Sequence, residues 1–293
     1  MLESPPLAVD AATAHLRGYD TILVPAVFGP WAGHLLDVVP PESGTAGLDV
    51  GTGPGTAARI LASRIGPHGA VLGVDSSPAM LALAVRKPPP AGGAKITYRL
   101  SPAAPLKAPR SAFDIVVCQQ VLQFVPDLHA ALADMRRAAR PGARLVAATW
   151  TSLEENPLFA ALHAAVGDIL GSQAASAFAR PWSLPPDDLH AAADQAGWKS
   201  ILTARHTLQV VIPSGPDGFM SLYTSSGVAD LITALDEGGA QNLRAQVHRY
   251  LHPFVVRGQL IGPTTAAVLT AARGQRARGR RAPSGDTGPR RVR

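Results

Sequence analysis

The chain reads as an α/β protein: a doubly wound, mostly parallel sheet of seven strands, with helices on both faces and a helical lid. Three observations predict it. Short apolar runs alternate with alanine-rich stretches of helical character from about residue 46 to 150. Residues 113–118 read as a continuous buried-strand run, as in a strand buried on both faces. Glycine and proline clusters at 51–55, 66–69, 88–93 and 141–142 punctuate the runs and helical stretches.

The elements follow in order. Residues 21–38 are apolar at mixed spacing with Pro25 and Pro30 inside, which predicts short helices separated by a break. Residues 46–50 form the first strand, ended by Gly51, Gly53 and Gly55; a helix over 56–65 stops at Gly66. A second strand, 70–74, leads to Asp75, and Ser77 before Pro78 is a good N-cap for a helix over 78–87. Residues 95–100 and 113–118 read as strands with a proline-rich loop between, 127–139 as a helix closed by Pro141 and Gly142, and 144–150 as the fifth strand. Helical stretches near 157–171, 186–196, 217–236 and 240–251 and strands over 200–211 and 264–272 complete the sheet. The chain is thus expected to be one domain over 1–273, with 15–150 as its ligand-binding core and 151–199 and 213–252 as lid and substrate elements.

Composition bounds the function. With 46% hydrophobic and 16% charged residues the chain lies outside the disordered range. Its net charge of +6 belongs to residues 275–293, which hold seven arginines and one aspartate; the remainder is formally neutral. No electrostatic footprint for nucleic acid therefore covers the body, and residues 274–293 read as a disordered basic tail. Cys118 is the only cysteine, which excludes an internal disulfide and any cysteine-based metal spacing, and it is expected to lie buried in a strand. The start carries no secretory pattern, and no uninterrupted apolar run is long enough for a membrane span, so the expected location is cytoplasmic. The partner expected is a small molecule, and no oligomeric state is assigned.

The segment LDVGTGPGTAARILA puts three glycines at alternate positions between a buried strand and a helix, where the backbone must turn tightly and admit a ligand. A P-loop would need a lysine and a hydroxyl residue to close it, whereas Thr56, Ala57 and Ala58 follow Gly55. A dinucleotide fingerprint would put its third glycine where Thr56 stands, which leaves an NAD-type oxidoreductase as the alternative. Asp75, at the end of the second strand, is placed to accept both hydroxyls of a ribose; the plainer possibility, a turn aspartate capping the next helix, is already met by Ser77.

LDVGTGPG, GVDSSPAM and FDIVVCQQVLQFVPD, in that order and spacing, resemble the class I S-adenosylmethionine-dependent methyltransferases, which are Rossmann-like. The resemblance covers residues 15–150 closely and is greatest to the small-molecule branch that includes ubiquinone and menaquinone biosynthesis methyltransferases. It implies S-adenosyl-L-methionine as cofactor. The loop of Gly51, Thr52, Gly53 and Gly55 would hold its methionine portion, with Asp49 near the amine. Asp75 would hold the ribose, Ser76 and Met80 would flank the adenine, and Gln119 and Gln120 would line the floor beside the sulfonium. Tyr19 would close over the methionine carboxylate. The acidic residue that the family carries after the third strand is absent: Ser101 or Pro102 stands there, leaving backbone at Pro102 and Ala103 to read the adenine edge.

Methyl transfer from a sulfonium asks mainly for alignment of donor and acceptor, and no hydrolase elbow or H-E-x-x-H motif competes with it. No metal and no catalytic residue is assigned. His34, His163 and His206 are candidate bases with solvent-facing or packing roles as the plainer alternative, and Trp150, Trp182, Phe159 and Phe178 belong either to an apolar acceptor site or to the core. A homologue that binds the cofactor without transferring a methyl group, such as a cyclase, is a further alternative.

Overall fold

The computed structural model describes residues 16–275. The expected tail and the first fifteen residues lie outside that span, apart from Gly274 and Gln275.

Strands β1 (Ala46–Val50), β2 (Ala70–Asp75), β3 (Lys95–Leu100), β4 (Phe113–Gln119), β5 (Ala139–Trp150), β6 (Lys199–Ile212), the two-residue β7 (Val255–Val256) and β8 (Gln259–Ala272) form one sheet. Its order is β3-β2-β1-β4-β5-β8-β6, with β7 paired to β8. The first five strands are parallel, and β8 runs antiparallel to both β5 and β6. Seven strands were expected, and the eighth is the short β7, too brief to show as an apolar run. β5 also starts earlier than expected, because residues around Pro141 and Gly142 extend it through a register shift opposite Phe113–Ile115.

Both faces of the sheet are buried, which the continuous apolar strands require. Ile115, Val117 and Val146 join one core cluster, while Val116, Cys118 and Leu145 join the other, following the two-residue period of a strand. The first cluster is covered by α1 (Gly29–Val38), α2 (Thr56–Ile65), α5 (Pro157–Ala179) and α9 (Glu237–Leu251); the second by α4 (Leu128–Ala138) and α6 (Pro186–Gln195). Between β2 and β3 lies α3 (Pro78–Arg86).

Three helical expectations are corrected. Residues 19–38 contain no break: a π-helix, Tyr19–Phe28, continues directly into α1. Its wider turn moves the Pro25 ring away from the carbonyl it would strike in an α-helix. The stretch 217–236 is not one helix but α7 (Gly215–Phe219), a 3₁₀ segment Met220–Ser225 and α8 (Ala229–Thr233). Finally, α5 is longer than expected and kinked at Gly171, whose φ of 82° leaves the helical region.

Two stretches, Tyr19–Val38 and Pro157–Trp182, are long and apolar enough by length and composition to cross a membrane, which the uninterrupted-run criterion did not anticipate. Both contribute fully buried side chains to the first core cluster, among them Trp31, Leu35, Phe159 and Phe178.

Candidate functional site

The carboxyl ends of β1, β2 and β4 meet at the turn after β1, where a parallel α/β sheet offers a crevice. Gly51, Gly53 and Gly55 all have positive φ (72°, 53° and 80°), and each is there for a different neighbour. A β-carbon at Gly51 would overlap the Val121 side chain, and one at Gly55 would overlap the Tyr98 hydroxyl. At Gly53 it would meet nothing within 4 Å. Gly53 therefore faces open space.

That space is a cavity of about 570 Å³, bordered by Gly51, Gly53, Asp75, Ser76, Met80 and Ala103, with Gln119 and Gln120 at its far end. Leu16, Ser77, Ser101, Val121, Phe124 and Ser226 also line it, none of which sequence reasoning had assigned. A signal existed for two of them, since Val121 and Phe124 are apolar residues directly beyond the carboxyl end of β4. Five expected residues are placed elsewhere, one of them, Tyr19, in a second cavity. Asp49 and Thr52 lie beneath the loop, 1% and 4% exposed, with the Thr52 hydroxyl donating to the Asp49 carboxylate at 2.6 Å. Gly55 packs on Tyr98, and Pro102 is exposed beside the cavity rather than lining it.

Asp75 does more than the sequence reading gave it. Its Oδ2 accepts the Gly53 amide and its Oδ1 the Ser77 amide, both at 2.8 Å, so it ties the glycine turn to the start of α3. Ser77 caps that helix, accepting from the Met80 amide at 3.3 Å. Each carboxylate oxygen keeps a lone pair for a ligand. Where an acid was expected after β3, Ser101 is 2% exposed and spans its own loop, donating to the Pro102 carbonyl and accepting the Lys107 amide, each at 2.8 Å.

A second cavity, of about 510 Å³, adjoins the first; Gln120, Phe124 and Ser226 border both. Trp150 and Trp182 line it, whereas Phe159 and Phe178 stand behind them at 1% and 0% exposure, so the four aromatics divide between site and core. Phe159 holds the two tryptophans in place, with ring centroids 5.0 Å from Trp150 and 4.9 Å from Trp182. Tyr19 lines this second cavity and not the first, because its ring packs on Phe28 with centroids 5.0 Å apart. Burial, with Asp75 and Asp20 nearby, pushes its hydroxyl well above the ordinary range and keeps it protonated.

Gln120 is the hinge between the cavities. It has a φ of 55°, unusual for a residue with a side chain, and it is 8% exposed. Its Oε1 accepts from Gln123 at 2.9 Å, while its Nε2 is buried without a partner. Gln119 instead binds the N-terminal helix, donating to the Phe28 carbonyl at 2.9 Å.

None of the three candidate histidines lines either cavity. His34 and His206 pair with each other, ring nitrogens 2.7 Å apart, against a separate groove on the sheet, and His163 lies on α5. Burial and the neighbouring His206 lower the His34 pKa. Cys118 is fully buried, and burial raises its thiol pKa, so it packs and does not react. Among the described residues no three His, Cys, Asp or Glu side chains converge as a metal site would need.

A sheet of this order, with a glycine turn after β1 and a ligand-sized hollow beyond the strand ends, defines a Rossmann-like α/β fold. Residues 48–147 match a family described as a methyltransferase domain. Nocamycin O-methyltransferase of Saccharothrix syringae is 35% identical over 118 residues, 40% of this chain and 42% of that protein. The 2-methyl-6-phytyl-1,4-hydroquinone methyltransferase of Synechocystis is 34% identical over 125 residues, 43% of this chain and 37% of that one. The chain thus spans about two fifths of the length of the curated relatives it matches. Phosphoethanolamine N-methyltransferase 2 of Haemonchus contortus, solved with S-adenosyl-L-methionine, superposes with a TM-score of 0.53 at 18% identity, covering 84% of this chain and 53% of that one. At that identity the likeness is one of fold.

Proposed function

We propose that the chain transfers a methyl group from S-adenosyl-L-methionine to a small-molecule acceptor, O-, C- or N-methylating a quinone-, phenol- or secondary-metabolite-like compound. The observation that carries this reading is the pair of adjoining cavities, one backed by the open face of Gly53 and the Asp75 carboxylate, the other aromatic, meeting at Gln120. The site fits the cofactor: the turn leaves room where a side chain would intrude, and a buried amide nitrogen on Gln120 lacks a partner.

The cofactor, when bound, supplies a methyl group already activated by its sulfonium. The chain's own residues then bind, orient and exclude water. Gly51, Thr52 and Gly53 offer a tight main-chain cradle, Asp75 offers lone pairs to a diol, and Ser76, Met80 and Ala103 flank the flat end of the cavity. Asp49 and Thr52 act from below by holding the loop. Tyr19 and Phe28 cover the second cavity, and Lys87 anchors their helix by an ion pair to Asp20 at 2.5 Å.

The same reading takes residues 1–273 as one methyltransferase domain. Ala177 and Trp182 from 151–199, and Leu222, Ser226 and Gly227 from 213–252, line the second cavity as a lid would. A cytoplasmic setting belongs to it as well, supported by a single, buried cysteine.

Equilibrium dialysis with both cofactors tests the assignment. S-adenosyl-L-methionine should be retained and NAD should not; NAD retained alone would establish the oxidoreductase instead. Asp75→Ala should weaken cofactor binding by about 1.5–3 kcal/mol in calorimetry, the range for a hydrogen bond to a charged group. Unchanged affinity would remove the ribose assignment.

A further inference from the structure

Resting on that reading, the second cavity indicates what kind of acceptor it takes. Its walls are aromatic, with Phe124, Trp150 and Trp182 prominent. Its unsatisfied polar groups lean toward donors. Trp182 is 8% exposed, and its indole N–H is buried without a hydrogen-bond partner, as is the Gln120 side-chain amide nitrogen. Against these stands one buried unpartnered acceptor, Gln123 Oε1. Arg180, two residues before Trp182 in the same 3₁₀ turn, lines the cavity and makes no ion pair among the described residues. Among the described residues no aspartate, glutamate or histidine lines it, and the one formally charged side chain on its wall is that of Arg180.

A buried donor without a partner is costly, and an exposed guanidinium that lines the same cavity without an ion pair among the described residues favours an oxyanion over a neutral or cationic guest. Among the described residues no side chain lining the cavity is suited to take a proton: His34, His163 and His206 lie elsewhere, and Asp75 borders the other cavity, where its oxygens accept two amides. An acceptor suited to this site brings its negative charge with it. We infer that the second cavity takes an apolar, ring-bearing oxygen acid in its ionised form, with Arg180 and the Trp182 N–H as its specificity-determining contacts.

The test uses binding, so that it does not depend on turnover. The full chain is saturated with S-adenosylhomocysteine and titrated at neutral pH, by calorimetry, with 2-naphthoate and with its neutral counterpart 2-naphthamide. The anion should bind at least roughly tenfold more tightly, the scale of one charge-assisted hydrogen bond. Arg180→Gln should abolish that preference. Trp182→Phe, which keeps a ring against Phe159 and Phe178, should weaken naphthoate by roughly tenfold, and neither variant should alter S-adenosylhomocysteine affinity. Equal affinity for the two probes, a preference that survives Arg180→Gln, or no binding of either at millimolar concentration would overturn the inference. The preceding titration with S-adenosylhomocysteine separates the two claims. A chain that fails to bind it loses the methyltransferase reading, whereas one that binds it without preferring the anion loses only the acceptor class.

Discussion

Gly51 and Gly53 lie two residues apart in one turn, yet a β-carbon would strike Val121 at the first and meet open space at the second. Alanine separates the two roles. Both residues have positive φ, so either substitution costs about 1–2 kcal/mol in backbone strain alone. At Gly51 the collision adds to that, and the melting temperature of Gly51→Ala should fall well below that of Gly53→Ala. At Gly53 the new methyl group enters the cavity, so this variant should stay folded and lose cofactor affinity by tenfold or more, an outcome read by calorimetry beside thermal melting. A Gly53→Ala protein that binds normally would show that nothing approaches the turn there. The same contrast measures what the sequence could say. Glycine spacing marked the turn, because only a handful of ligand loops use it. Which glycine faces the ligand depends on Val121 and Tyr98, side chains from β4's far end and from β3 that no local pattern connects to the loop.

At the scale of elements, the parallel strands were legible because most of them are apolar runs that end in a turn, whereas their order in the sheet was not read from the sequence. Helix interruptions were less legible than the strands. The π-helix, the kink at Gly171 and the broken stretch after β6 depend on packing against the sheet, and helical periodicity is blind to it. The Arg180–Trp182 turn that lines the second cavity reflects the same limit: it follows directly on the end of α5 at Ala179, with Pro181 inside the turn. Asn156 is a clear case of an element held by a residue that reads as loop. It is fully buried at the start of α5; its Oδ1 accepts the Thr265 amide of β8 at 2.8 Å, and its Nδ2 donates to the Thr265 carbonyl at 3.0 Å. β5 stops pairing with β8 at Trp150–Ala266, so the asparagine side chain satisfies the next position of the ladder. Asn156→Ala leaves that amide buried and unpaired, while the carbonyl keeps the Thr151 hydroxyl at 3.0 Å. The expected loss is about 1–3 kcal/mol, seen as a lowered urea midpoint with an unchanged slope. A midpoint equal to wild type would mean that β8 does not need the tie.

For the whole molecule, the buried acid beneath the glycine turn couples stability to pH. Burial raises Asp49 from 3.8 to about 7, opposed by hydrogen bonds from Thr52 and the Ala58 amide and reinforced by nearby Asp75. In the unfolded chain the group loses its proton near the lower value, and in the folded chain near the higher. Between them the native state holds the extra proton, so stability from this group is fully present below pH 4 and is lost as pH rises through about 7. The shift corresponds to a loss on the order of 4 kcal/mol. Asp217 acts in the opposite sense: hydrogen bonds from Arg244 lower it from 3.8 to about 2, so its contribution is fully present above its ordinary pKa and is lost as pH falls through about 2. Its side chain is 45% exposed, however, and screening by solvent leaves it a small effect outside the same window. Urea unfolding of wild type and Asp49→Asn at pH 5, 6, 7 and 8 isolates the buried group. Wild type should lose stability from pH 5 to about 7 and level off by pH 8 while the asparagine variant does not, so that the gap between them changes in the variant's favour by a few kcal/mol. Parallel pH profiles would show that Asp49 is ionised throughout. The glycine turn would then sit over a permanent negative charge, a different electrostatic floor for any ligand bound above it.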